Sequence, residues 1–283
     1  VSEPRQADNV AGLGYIARSS PIHKLTGAAK MLMVLFVSIA AMITYDTRFL
    51  LVVIVASFTV FSLARIKLRE MKTIFILIFI FMLVNNVFIY LFAPEEGVKI
   101  YGTRHELIHL FGHYSLTREQ LFYQLNVTIK YFAIMPLALI FFTTTEPSEF
   151  AASLNQIGVS YKVGYSVALA LRYIPDVRRS YKEISQAQQA RGIDISRGVK
   201  LTKRVQGATA ILFPLVFSSL DKIETISNAM ELRSFGKNKK RTWYRGKPFV
   251  KWDYLAIGIS MAAIVAAVLL NMKNGGRFYN PFI

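Results

Sequence analysis

Cysteine is absent from this sequence. No disulfide and no thiol nucleophile is available, and a zinc site would lack its favoured ligand. Acidic residues are scarce: 17 Asp and Glu stand against 34 Lys and Arg, a formal net charge of +17. Phosphate-binding glycine loops are missing. No G-x-x-x-x-G-K-[ST] occurs, and Gly246-Lys247 is followed by Pro248, so the chain offers ATP no P-loop. Neither G-x-S-x-G nor H-E-x-x-H is present. No pair of acids lies within an apolar run to relay protons. These absences argue against an enzyme and against an ion-coupled pump working alone. Residues 1–26 also lack the compact charged, apolar and small-residue order of a signal peptide.

Apolar runs are abundant. Of 283 residues 53% are hydrophobic, gathered in stretches that read as a polytopic membrane protein. Five runs stand out: about Gly27–Tyr45, Phe49–Ala64, Thr73–Ala93, Val127–Phe142 and Tyr254–Leu270. Lys30 interrupts the first near its start, where a lysine is expected to snorkel to the headgroups. Asn85-Asn86 sits inside the third, and two amides in hydrocarbon must face other helices or a partner. Lys130 and Pro136 lie in the fourth. Gly258 and Ala262 in the fifth have the small-xxx-small spacing that lets helices approach closely.

Charge orients these runs. Loop 65–72 carries four basic residues against one acidic, and residues 144–254 carry 19 against 9. Segments 46–48 and 94–125 show no such excess. Five spans with a cytoplasmic N-terminus put every basic segment inside and the short tail outside. The expected division is 1–26 as a cytoplasmic segment, 27–143 as four spans with an extracellular loop 94–125, 144–253 as a cytoplasmic helical region, and 254–283 as the fifth span with its tail. Loop 94–125 holds a possible short amphipathic segment at Glu106–Phe111.

Three helices are expected in the cytoplasmic region. One opens at Glu146-Pro147-Ser148-Glu149, since proline and acids suit a first turn, and ends near Ile157. The second runs from about Lys162 to Arg191, bent or broken near Pro175. The third runs from about Leu201 to Arg233. The two long ones end in the same motif. Ile184-Ser185-Gln186-Ala187-Gln188-Gln189-Ala190-Arg191-Gly192 overlays Ile226-Ser227-Asn228-Ala229-Met230-Glu231-Leu232-Arg233-Ser234 at an offset of 42. Stripes Ile174, Val177, Tyr181, Ile184 and Ile223, Ile226, Met230 lead to the arginines on one helix face. Each arginine is therefore expected on the face that buries apolar surface, with Gly192 and Gly236 as helix-end glycines.

Plain readings compete. A cation at a helix C-terminus is favoured by the dipole by about 0.3–1 kcal/mol without any partner. That does not explain why register and stripe recur twice, whereas two similar receptors on a pseudo-symmetric pair of partners would. His105, His109 and His113, four apart, would share a face of one helix and could hold zinc or nickel; a solvated loop is the alternative. The cluster Lys237, Lys239, Lys240, Arg241, Arg245, Lys247 and Lys251, with Trp243, Tyr244 and Trp252, is explained by anchoring on the anionic inner leaflet, with no need for nucleic acid.

On these residues the chain resembles the T component (EcfT, CbiQ-like), the transmembrane coupling subunit of energy-coupling factor vitamin and metal transporters. Ala190-Arg191-Gly192 and Leu232-Arg233-Ser234 match the family's two arginine motifs. Arg172-Tyr173-Ile174-Pro175 resembles its Arg-aromatic-aliphatic-Pro step, and Ser20-Pro21-Ile22-His23-Lys24-Leu25 with Lys30 its opening. Thr26-Gly27 stands where Asp-Pro is usual, and Leu232 where a small residue is usual. The resemblance implies an all-α membrane protein of about five transmembrane helices plus about three coupling helices, two of them long and ending in arginine motifs. It implies a non-catalytic subunit without cofactor or metal, in a prokaryotic cell membrane. Its partners would be two ATP-binding-cassette ATPases, identical or not, docked by Ala190, Arg191, Gly192, Leu232, Arg233 and Ser234. A small membrane S component would carry the specificity for a vitamin or other micronutrient. An ordinary ABC permease subunit and a polytopic membrane enzyme are the alternatives; for the latter, Asp176, Asp194 and Asp221 form no Asp-rich motif.

Overall fold

The computed structural model describes residues 18–111, 114–193, 201–238, 242–243 and 246–282. The chain divides into two compact units, Val1–Glu149 with Lys247–Ile283, and Phe150–Gly246.

The first unit holds α1 (Pro21–Lys24), α2 (Gly27–Ile43), α3 (Thr47–Leu63), α4 (Lys72–Phe92), α5 (Glu96–Tyr101), β1 (Glu106–Phe111), β2 (Tyr114–Thr117), α6 (Arg118–Thr144) and α10 (Lys251–Lys273). Polar side-chain caps start three of its longer helices. Thr26 Oγ1 accepts from Ala29 N ahead of α2, Asp46 from Arg48 N ahead of α3, and Thr117 Oγ1 from Gln120 N ahead of α6. Helices α4, α6 and α10 are long and apolar enough to cross a membrane; α2 and α3 are apolar too but have 17 residues each, at the short end of what spans.

Helix α10 lies along α2, and α3 along α6. One core gathers Ile22, Met33, Phe61, Met71, Met135 and Ile140. A second joins Ala40, Ala41, Leu50, Val53, Ala133 and Ala267. Its four alanines are fully buried, and small side chains let helices in lipid approach closely. In α10 the packing face is Asp253, Ser260 and Ala267, buried at every seventh residue. Gly258 and Ala262 are exposed instead. Gly258 is two residues from Ser260, about 200° around the helix, so the expected small-residue contact is corrected to this other face.

Glu106–Phe111, expected as a short amphipathic segment, is a strand. It pairs antiparallel with β2, Glu106 opposite Thr117 and His109 opposite Ser115, so the mostly helical fold also carries one short hairpin. An extended chain rises about 3.3 Å per residue, so side chains four apart stand roughly 13 Å away instead of one helical turn. His109 thus lies in a strand, so the shared helix face expected for His105, His109 and His113 is not formed; the His109 side chain and His113 lie outside what is described. His105 Nδ1 is paired 2.6 Å from Glu119 Oε1.

The last residues fold back onto the first unit. Tyr45 N donates to Arg277 O at 2.7 Å, and Asn280 Nδ2 to Tyr101 O at 3.0 Å. Asn274 Nδ2 and the Arg48 guanidinium both donate to Asp46. Burial alone would raise the Asp46 pKa, but these hydrogen bonds outweigh it and hold the carboxyl below its usual range.

In the second unit α7 (Pro147–Gln156), which begins in the first, is followed by α8 (Tyr161–Ala190) and α9 (Leu201–Leu232). Both long helices run unbroken through their prolines, Pro175 and Pro214.

Candidate functional site

The duplicated motif folds twice into the same helix end. Arg191 N donates to Ala187 O, and Arg233 N to Ala229 O, each at 3.3 Å. Gly192 N reaches Gln189 O and Ser234 N reaches Glu231 O. Ile193 N closes on Gln188 O, and Phe235 N on Met230 O. Every one of these bonds keeps the offset of 42 found in the sequence. The pattern is a Schellman cap, and it needs a left-handed residue after the arginine. Gly192 has φ +86° and Ser234 φ +54°. Gly236, expected as the second cap, is also left-handed at +93° but comes two residues later; Ser234 occupies the capping place.

Both arginines are exposed, and among the described residues neither guanidinium has an ion-pair partner. Ala190, Gly192, Leu232 and Ser234 are exposed beside them, Leu232 at 89%. Of the stripes that lead to the arginines, Ile184, Ile226 and Met230 are half-buried, while Ile174, Val177, Tyr181 and Ile223 are exposed. The chain itself covers only part of this face. Helices α8 and α9 use other residues against each other: Gln188 Nε2 donates to Ala210 O, Lys222 Nζ to Ser180 Oγ, and Ile211 and Ser185 are buried. Asp176 and Asp221, far apart in sequence, line one cleft with Tyr173 and Lys222; Asp194 lies outside the described residues.

The two arginines stand at opposite ends of α8. Arg191 caps its C-terminus. Phe235, two residues past Arg233, packs against Tyr161 and Tyr165 at the start of α8, with ring centroids 5.8 and 4.7 Å away. Trp243 braces the same end: its Nε1 donates to Asn155 Oδ1 at 3.1 Å. With 30 residues in α8, the tips are separated by roughly 40 Å. Two tips that far apart do not converge on one ligand; each presents a five-donor fork on its own.

A polar node in the first unit was not legible in the sequence. Lys30 does not snorkel. It is fully buried, and its Nζ donates to Thr144 O at 2.9 Å and lies 3.6 Å from Glu149 Oε1. Lys247 Nζ reaches the other Glu149 oxygen at 3.1 Å. Beside it Asp253, also fully buried, accepts from Thr26 N and from Val250 N. Glu149 and Lys247 are the residues at which the chain leaves and re-enters the first unit. The node therefore ties those two points to the start of α2 and the end of α6. Only the tertiary contact reveals it, because Lys30, Glu149 and Lys247 lie in three distant segments.

Comparison with known proteins agrees with this architecture. The profile of the CbiQ family, described as cobalt transport protein, matches residues 18–244. An Exiguobacterium sibiricum protein named energy-coupling factor transporter transmembrane protein EcfT is 26% identical over 282 residues, covering 95% of this chain and 98% of that protein. A Thermotoga maritima protein of the same name is 26% identical, covering 94% of this chain and 93% of its own length. A Bifidobacterium longum protein named as an ABC transporter ATP-binding protein is 24% identical across 94% of this chain, which spans 34% of that longer protein. With the family profile matched over most of its length and with relatives aligned nearly end to end, the chain belongs to the CbiQ family, the transmembrane T components of energy-coupling factor transporters.

Proposed function

We infer that this chain is the coupling subunit of an energy-coupling factor importer. It passes ATP-driven motion of two cytoplasmic ATPases to a separate membrane S component that takes up a vitamin or other micronutrient. It performs no chemistry of its own. The reading has five spans, the N-terminus and 144–253 cytoplasmic, and Arg191 and Arg233 docked one per ATPase. The observation that carries it is the pair of identical caps, each presenting an exposed arginine without an ion pair, about a helix length apart. A dipole effect needs neither the repeat nor the spacing, and a single receptor could not reach both tips. The Bifidobacterium longum relative adds support, because a stretch like this chain shares a polypeptide with the protein named for ATP binding.

Truncating one partner of a buried, hydrogen-bonded charge pair weakens association by about 2–5 kcal/mol. Arg191→Ala or Arg233→Ala should cut uptake strongly while leaving membrane insertion normal, and Arg→Lys should restore little, since a point charge lacks the fork. The double variant should release the ATPases, because two-point attachment is then lost. Co-purification of ATPases and S component, with uptake of labelled micronutrient, reads all three. Stoichiometric ATPases and full uptake in the double variant would defeat the docking role. An ABC permease would co-purify without an S component, and an enzyme with neither partner.

A further inference from the structure

Helix α4 is the least covered helix long enough to span. Met82 is its single buried residue. It is fastened to α6 along one half by polar contacts. Gln120 Nε2 donates to Ala93 O, Gln124 Nε2 to Asn86 O, Asn86 Nδ2 to Thr128 Oγ1, and Tyr131 OH to Asn85 Oδ1. From Met82 back to Phe75 no such bond joins them among the described residues. The wedge between them is a cavity of about 290 Å³, walled by Phe75, Ile78, Phe79 and Met82 of α4 and by Tyr131 and Met135 of α6.

Two features of the wedge say what fills it. Its lining is the first. Those side chains of α4 and α6 make an apolar wall, which suits a hydrocarbon chain. The second is its rim. Phe75 of its wall lies one turn from Lys72, the first residue of α4, and Arg65, Lys67, Arg69 and Lys72, at and just before that helix start, are all exposed. Among the described residues none of the four has an ion-pair partner. An apolar groove on the first turns of a helix preceded by unpaired cations matches an acyl chain hanging from an anionic headgroup.

We propose that the wedge between α4 and α6 binds one anionic phospholipid, with an acyl chain against Phe75–Met82 and its phosphate on the basic residues between α3 and α4. The bound lipid completes the packing that α4 lacks over this half. A partner helix is the competing occupant, and the unpaired basic residues at and before the start of α4 favour the lipid.

The test places a fluorophore in the wall. The chain, assembled with its ATPases and S component, carries Phe79→Trp, and the fluorescence added over the parent chain is followed in phosphatidylcholine vesicles. Brominated-chain phosphatidylglycerol should quench it at a roughly five-fold lower mole fraction than brominated-chain phosphatidylcholine. The preference should shrink at high salt and vanish in Lys67→Ala, Arg69→Ala, Lys72→Ala. Leu269→Trp, on the exposed side of α10, should show no preference. Native mass spectrometry of the parent complex, which needs no variant, should show one retained phosphatidylglycerol. Equal quenching by both lipids at Phe79→Trp, or a preference as large at Leu269→Trp, overturns the proposal. Shielding from both lipids also overturns it, in favour of a partner helix. None of these readings depends on Arg191 or Arg233, so they stand or fall apart from the coupling reading.

Discussion

Serine at position 234 does what glycine does at 192. Both residues hold a left-handed conformation so that the chain can turn away and leave the preceding arginine projecting. An L-residue pays about 1–2 kcal/mol for that conformation, whereas glycine adopts it freely. Ser234→Gly should therefore stabilise the second arginine end, net of the greater freedom glycine has when unfolded, by about 0.5–1 kcal/mol. Gly192→Ala should weaken the first by a similar amount. Thermal unfolding of the detergent-purified chain reads both; a loss of stability in Ser234→Gly would show that the serine side chain has a role beyond the turn. The twin arginine ends were legible in the sequence, since the repeat at an offset of 42 marks both copies, but the second capping residue was not: Gly236 was expected and Ser234 holds the place. The partly open stripe beside them was not legible either. Helical periodicity identifies which residues share a face, but not what covers that face.

At the scale of elements, the node of Lys30, Glu149 and Lys247 sets an order of effects. Glu149 faces two lysines, one fully buried and one half-exposed. Removing its charge strands a buried ammonium, the situation that typically destabilises by about 3–5 kcal/mol. Lys30→Met removes the buried charge itself and leaves Glu149 paired with Lys247, so its effect should be smaller. Lys247→Ala breaks a pair open to solvent, worth about 1 kcal/mol or less. Thermal unfolding should rank Glu149→Gln as most damaging, then Lys30→Met, then Lys247→Ala. If Glu149→Gln proved the mildest, the node would not be a stabilising contact. The same scale explains the hairpin. A run of six residues has too few turns to display helical periodicity, and pairing of β1 with β2 decided its form.

For the whole molecule, the division at Glu149 and Lys247 gives topology a direct test. A chain without cysteine accepts single reporters cleanly. Leu107→Cys, in the exposed hairpin, should react with an impermeant maleimide added to intact cells. Lys237→Cys, in the second unit, should react only after the membrane is opened. The reverse pattern would invert the proposed orientation and place both arginine tips outside, where no ATPase could reach them. The separation of roughly 40 Å between those tips is also a property of the whole second unit. It follows from the length of α8 and from Phe235 folding back on Tyr161 and Tyr165, a contact across some 70 residues of chain.

Features that act over one or two helical turns were written in the order of residues alone: the apolar runs, the polar caps, the twin arginine ends, and the amides Asn85 and Asn86 that had to find partners on another helix. Each depends on backbone geometry and burial within a short segment. Folding in three dimensions settled the rest. It turned Lys30 inward to Glu149, chose Ser260 and Ala267 over Gly258 for the face against α2, and opened a wedge beside α4. It also set the two arginines at opposite ends of one helix. These outcomes depend on which distant segments meet, and a pattern within one segment carries the same charge or apolar face whichever neighbour it meets.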